Sequence, residues 1–285
     1  MADSLAIKTP LLCQFTYIDS LSDLSPISFI CFMKPNIVKT RLKNNLPVLG
    51  VLSNTTDPTV AELCGFSGLD FYMIDGEHSP VTTAQVQDIV RACETSGITP
   101  LARARSNDAK LIGQYLDAGV QGIMMPGVRT VAELEALVKA VKYPPLGSRG
   151  VAPVRAADYL LGDMNQGEFV QFSNEQTLVL PQIEDREAIN NLDDLLAVEG
   201  VDGFVIGPRD LAMSMGYYDG PGHDEVKRTI GSVVDRIRKA GLIVGTTAAT
   251  GDQAKALVDR GVLFCLNSFA GLLKSATSEF MKGRQ

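Results

Sequence analysis

The sequence predicts a single (β/α)₈ barrel, the TIM-type α/β fold, and three observations carry that expectation. Eight short apolar runs lie along the 285 residues. Each lacks the polar alternation of a half-exposed strand, as parallel strands covered on both faces should. Amphipathic stretches separate the runs, and several of them stop at a glycine placed to end a helix just before the next run. An open doubly wound sheet uses the same alternation, but eight units within about 250 residues favour the closed barrel.

Residues 1–34 show no clear period and few turn signals, and are expected to form a flexible or loosely docked extension to one barrel domain spanning 35–285. Residues 36–44 read as a short helix with Ile37, Val38 and Leu42 on one side. PVLGVLS, at 47–53, is the first buried strand, and further strands are expected at 69–75, 99–104, 122–125, 178–183, 203–206, 243–246 and 263–266. Helices are expected at 81–96 before Gly97, 110–118 before Gly119 and 131–141 before Pro144. Two more fall at 224–240 before Gly241 and 252–260 before Gly261. The stretch 143–174 has no period, and an irregular segment of that length in a compact domain is usually functional.

Charge and composition exclude several classes. A net charge of -7, with no basic run, argues against a nucleic-acid partner, which needs clustered Lys and Arg. The apolar stretch near Ile27 to Met33 is far short of the roughly 20 residues a membrane span requires. The five cysteines are odd in number and scattered without CxxC spacing, so reduced thiols and a cytoplasmic setting are expected. No secretory leader is legible at the N-terminus. Neither GxGxxG, GxxxxGK[ST] nor GxSxG occurs, and no Lys ends an expected strand, which disfavours nucleotide and Schiff-base chemistry.

In such a barrel the chemistry sits at the C-terminal ends of the strands. The polar residues there are Asp75, Gly76, Glu77 and His78 after strand 2, Arg103 after strand 3, Gln182 and Glu184 after strand 5, and Asp210 after strand 6. Gln182 and Glu184 share one side of a strand, where burial without partners is costly. Asp210, after Gly207-Pro208-Arg209, falls one strand away. Alone it reads equally well as a helix cap; beside Glu184 the pair favours a hard divalent cation, Mg²⁺ or Mn²⁺. Co²⁺ is a further candidate. His78 is one of two histidines and reads as a general base, while His223 lies in a polar loop. Arg103 suits a carboxylate or an enolate oxygen, and Arg105 and Arg149 are weaker candidates.

At these residues the chain resembles the HpcH/HpaI aldolase family of metal-dependent class II pyruvate aldolases, from about Asn36 to about Glu279. The segments that carry the resemblance are LDFYMIDGEHSP, PLARARSND, YLDAGVQGIMMPGVRT, YPPLGSRGV, LPQIEDREAINNL and VEGVDGFVIGPRDLAMSMG. The resemblance implies a barrel of the phosphoenolpyruvate/pyruvate-binding type and retro-aldol cleavage of a 4-hydroxy-2-oxo acid. It implies His78 as proton acceptor, Asp117 as the carboxylate that raises its basicity, and Arg103 as transition-state stabiliser. Glu184 and Asp210 would bind the metal, Gln182 the substrate, and the amides of Arg209 and Asp210 the pyruvate carboxylate. The same enolate would arise by decarboxylating oxaloacetate, as in macrophomate-synthase-like members that capture it with a 2-pyrone. A silent barrel kept for binding is the third reading, disfavoured by the intact site. The resemblance also implies a homo-oligomer, a hexamer or trimer of dimers. Arg209 departs from the family's small or neutral residue, and on this ground is expected to recruit a second carboxylate. LNSFAGLL departs from the family's usual C-terminal segment.

Overall fold

The computed structural model describes residues 35–284, so the expected extension at 1–34 lies outside the described residues. Within them, eight strands close into a barrel in sequence order. They are β1 (Val48–Ser53), β2 (Phe71–Asp75), β3 (Thr99–Arg103), β4 (Gly122–Met125), β5 (Leu178–Ile183), β6 (Gly203–Ile206), β7 (Ile243–Thr247) and β8 (Phe264–Ser268). Every pairing is parallel, and β1 closes the ring against β8.

The barrel interior is filled by Phe71, Met73, Leu101, Met124, Leu178, Leu180, Val205, Phe264 and Leu266. Phe71 and Phe264 stack at 4.3 Å between ring centroids. That pair needs Gly50, because a Cβ there would stand 2.5 Å from the Phe71 ring. A second apolar layer, including Ile89, Ile112, Leu137 and Phe204, packs the strands against the helices. The expected helices appear as α1 (Ile37–Lys43), α3 (Thr83–Ser96), α4 (Ala109–Ala118), α5 (Val131–Val141), α10 (Asp224–Lys239) and α11 (Gly251–Asp259). α3 and α4 stop at Gly97 and Gly119, both left-handed, as their glycines predict.

Others carry too little apolar stripe to be read in advance. α2 (Pro58–Phe66) buries Ala61 and Cys64 alone, and α7 (Arg186–Asn190) and α8 (Leu192–Leu196) are single turns. α9 (Pro208–Ser214) follows β6, and α12 (Phe269–Phe280) closes the fold. The 143–174 stretch is not wholly irregular. It holds a short 3₁₀ segment, Arg155–Leu160, and then α6 (Gln166–Gln176), which buries Phe169 against Tyr143. Because it joins the end of α5 to the start of β5, this stretch lies at the floor of the barrel, opposite the strand ends that carry the site.

The floor is closed by buried polar contacts. Val38 and Leu42 of α1 join the barrel interior. Asn36 donates to the Gln121 and Gln176 carbonyls at 2.9 Å each, and Lys39 pairs with Asp202 at 2.7 Å. Lys142 donates to the carbonyls of Asn174 and Thr177 at 2.8 and 2.7 Å.

α12 differs from the other long helices in burying none of its residues. Leu272, Leu273 and Phe280 are exposed along it, Met281 is exposed just beyond its end, and the outward-facing Leu49 on β1 is exposed too.

Candidate active site

The mouth is built strand by strand. β2 is wholly buried and ends on Asp75, whose carboxylate organises the turn beyond it. One oxygen accepts the backbone N–H groups of Glu77 and His78, each at 3.1 Å, folding the DGEH turn back on the strand. The Ser79 hydroxyl donates to the Asp75 carbonyl. Gly76 lies close under Arg103, where a Cβ would meet the Arg103 carbonyl at 2.7 Å, so the turn requires glycine.

Arg103 ends β3 and is buried. Its Nε and one terminal nitrogen donate side-on to the two oxygens of Asp75, at 3.0 and 2.7 Å. The other terminal nitrogen stands 3.2 Å from Glu77. Asp75 takes two of the five guanidinium donors as hydrogen bonds, and Glu77 adds an ion pair. Asp75 and Glu77 are therefore positioning residues to which the sequence alone assigned no role. The usable signal was an acid closing an otherwise apolar strand. The His78 imidazole is 66% exposed, and its Nε2 lies 3.6 Å from Glu77, too far for a hydrogen bond.

Glu184 follows β5 directly. One carboxylate oxygen accepts the Gly127 N–H at 2.7 Å and the other the Gln182 amide at 3.0 Å. Register pairs Ile183 with Ile206, which sets Glu184 against Gly207. The fit is tight: a Cβ on Gly207 would stand 2.5 Å from the Glu184 carboxylate. Burial, with Asp210 and Glu77 adding negative field, pushes the Glu184 carboxyl up to about 7, against the lowering effect of the Gly127 hydrogen bond and Arg103. The buried Gln182 carbonyl oxygen has no hydrogen-bond partner among the described residues.

Asp210 lies in the first turn of α9, where Gly207 is the N-cap and no side chain caps the helix. The alternative reading of Asp210 as a cap is therefore not the one the structure adopts. Its carboxylate and that of Glu184 both line the mouth. Arg209 is exposed, and its N–H, like that of Asp210, lacks a partner within the helix.

These residues fit a hard divalent cation. Among the described residues no group of three or more His, Cys, Asp or Glu is gathered as a closed metal site. Two carboxylates with an unpartnered amide oxygen beside them make an open site, leaving positions for water and substrate oxygens. A carboxyl whose ionisation burial opposes is also one that a cation would hold ionised.

Asp117 is elsewhere. It is the penultimate residue of α4, which runs back to the floor, and its carboxylate accepts from Arg149 at 2.7 Å. One chain therefore does not bring Asp117 to His78. Arg149 is not a surface residue: it is buried, with its guanidinium carbon 4.6 Å from the Tyr143 ring centroid. The Arg149 Nε and the Tyr143 hydroxyl have no partner among the described residues. His223 caps α10, accepting the Glu225 N–H at 3.2 Å, which accounts for it structurally.

The mouth forms a cavity of about 480 Å³ lined by Glu77, His78, Arg105, Arg129, Glu184 and Asp210, among others. The profile of the HpcH/HpaI aldolase/citrate lyase family matches residues 49–275. The chain belongs to that family. It is 37% identical over 229 residues to a hydroxypyruvate/pyruvate aldolase of Pseudomonas aeruginosa, covering 80% of this chain and 85% of the relative. It is 36% identical over 249 residues to a 4-hydroxy-2-oxo-heptane-1,7-dioate aldolase of Shigella sonnei, covering 87% and 94%. The crystal structure of an HpcH/HpaI aldolase from Desulfitobacterium hafniense superposes with a TM-score of 0.82 at 28% identity, covering 88% of this chain and 96% of that one.

Proposed function

We propose that this chain is a divalent-metal-dependent carbon–carbon lyase that cleaves a 4-hydroxy-2-oxo acid to pyruvate and an aldehyde through the pyruvate enolate. The observation that carries the reading is the half-buried Glu184 carboxylate, gripped by Gly127 and Gln182, in a mouth it shares with Asp210 and His78. Glu184 and Asp210 would hold Mg²⁺, Mn²⁺ or Co²⁺. Such an ion supplies Lewis acidity and charge neutralisation to a bound 2-oxo acid.

The chain's own residues do the rest. First-turn amides of α9 at Arg209 and Asp210 bind the carboxylate of the pyruvate half. His78, exposed to the mouth, takes the proton of the C4 hydroxyl. As the C3–C4 bond breaks, its electron pair passes to C3 and the C2 oxygen, and the aldehyde leaves. The Arg103 guanidinium meets the negative charge on that oxygen, and Asp75 and Glu77 hold it in place without reorganisation. The same geometry accepts oxaloacetate, whose loss of CO₂ gives the same enolate.

A homo-oligomer, expected to be a hexamer, is part of this reading. It is supported by the exposed Leu272, Leu273 and Phe280 of α12. Asp117 and His78 lie at opposite ends of one barrel, so a His78–Asp117 pair would form between copies. Cys64, Cys93 and Cys265 are buried and free, which supports a reducing, cytoplasmic setting.

The test is pyruvate release from 4-hydroxy-2-oxoheptanedioate and from oxaloacetate, before and after EDTA and after restoring Mg²⁺ or Mn²⁺. The reading expects release that is lost with the metal and returns with it. Silence toward both substrates with metal present would refute it.

A further inference from the structure

The mouth carries two arginines that the cleavage chemistry does not use. Arg105 lies two residues beyond the end of β3, and Arg129 four beyond the end of β4; both line the cavity. β3 and β4 are neighbours in the ring, so the two guanidinium groups come from adjacent loops on the rim before the Glu184 and Asp210 sector.

Their surroundings separate them from Arg103. That arginine is buried, with two hydrogen bonds to Asp75 and an ion pair to Glu77. Arg105 is exposed, and none of the ion pairs or hydrogen bonds seen among the described residues involves its side chain. Arg129 is anchored through its backbone. Its N–H donates to Glu133 at 2.8 Å, and its carbonyl accepts from Asn191 at 2.9 Å. Its side chain is 49% exposed and makes one long contact, Nε to Asp185 at 3.4 Å. Asp185 also caps α7, accepting the Glu187 N–H at 2.8 Å through its other oxygen.

The charges in the cavity then resolve by sector. Glu77 faces Arg103, Asp185 faces Arg129, and Glu184 and Asp210 face a cation on the proposed reading. Among the described residues Arg105 has no ion-pair partner, and Arg129, on the same cavity, makes no hydrogen bond through its terminal nitrogens. Two guanidinium groups lining one cavity from adjacent loops suit an oxyanion that each can meet with charge-assisted hydrogen bonds.

We infer that Arg105 and Arg129 form an anion subsite for the aldehyde half, so that the substrate carries a carboxylate or phosphate at the end remote from its 2-oxo acid. This rests on the lyase reading above and specifies its substrate. It adds to the second-anion contact expected of Arg209 a site on the β3 and β4 loops.

The experiment runs the full-length, metal-loaded enzyme in the condensation direction with pyruvate and matched aldehydes. Succinic semialdehyde is compared with butanal, and glycolaldehyde phosphate with glycolaldehyde. Exchange of the pyruvate methyl protons with deuterated solvent is followed separately, since it needs the enolate but no aldehyde. The wild type is expected to exchange, and to prefer the anionic member of at least one pair by about tenfold or more in kcat/KM. The pair with the larger preference assigns the subsite to carboxylate or to phosphate. Arg105→Gln and Arg129→Gln should each shrink that ratio, and together bring it close to one. Exchange with no preference in either pair overturns the subsite alone, as does a preference that survives both substitutions. Absence of exchange overturns the enolate reading and the subsite with it.

Discussion

The floor and the mouth of this barrel both bury polar groups, but they treat them differently. At the floor, Lys39 finds Asp202 and the Thr177 carbonyl, Lys142 finds two carbonyls, and Asn36 satisfies both ends of its amide. At the mouth, the Gln182 oxygen goes without a partner and the Glu184 carboxyl is pushed up to about 7 by burial. A buried polar group that is fully satisfied holds structure together; one left wanting marks where a ligand completes the set. The floor has one exception. Arg149 and Tyr143 each leave one buried polar atom unpartnered, next to Asp117, the residue that a neighbouring copy would have to present to His78.

That contrast can be broken from either side. The largest expected effect is at the floor. Lys39→Ala strands the mostly buried Asp202, and breaking a buried pair costs about 3 kcal/mol or more, lowering Tm by roughly 10 °C. A melting curve measures this, and kcat of the folded fraction should stay near the wild-type value. A variant that melts normally but turns over slowly would show that the floor is not merely structural.

At the mouth the order reverses. Gly207 has a φ of -93°, which alanine tolerates, so Gly207→Ala should fold. Its Cβ would nevertheless displace the Glu184 carboxylate, and metal affinity or kcat/KM should fall by about ten- to a hundredfold. Titration of Mn²⁺ beside steady-state kinetics would show it.

The smallest effect is on pH dependence. Glu184 takes up its proton more readily in the folded chain, near 7, than in the unfolded chain, near 4.5. Its contribution to folding is therefore full below the unfolded value and is lost as pH rises through the folded one. Metal-stripped wild type should lose Tm relative to Glu184→Gln between about pH 5 and pH 8, and Mg²⁺ should restore the difference at the upper end. Parallel Tm profiles for the two proteins would contradict the burial of this carboxyl.

Much of the barrel was legible because parallel strands are apolar on both faces: β4, β5 and β6 fall where the unbroken runs place them. α2, α7 and α8 were not, since two buried residues or a single turn leave no 3.6-residue stripe to read. α6 was hidden in the 143–174 stretch, where Phe169 buries itself in a local cluster with Tyr143 rather than in the main core. In the site, Arg103, Gln182 and Glu184 were visible as polar residues at the ends of apolar runs. The grip of Asp75 on Arg103 was not, because the two are 28 residues apart and only strand register joins them. The distance of Asp117 from His78 comes from helix direction, which a motif does not carry.

The most direct test of the metal-dependent lyase is a titration of Mn²⁺ into EDTA-stripped enzyme, followed by electron paramagnetic resonance, for wild type, Glu184→Gln and Asp210→Asn. One pyruvate-sensitive site per chain in the wild type, lost in both variants together with pyruvate release, is the predicted result. Equal binding in all three proteins, or full activity after the metal is gone, would contradict it.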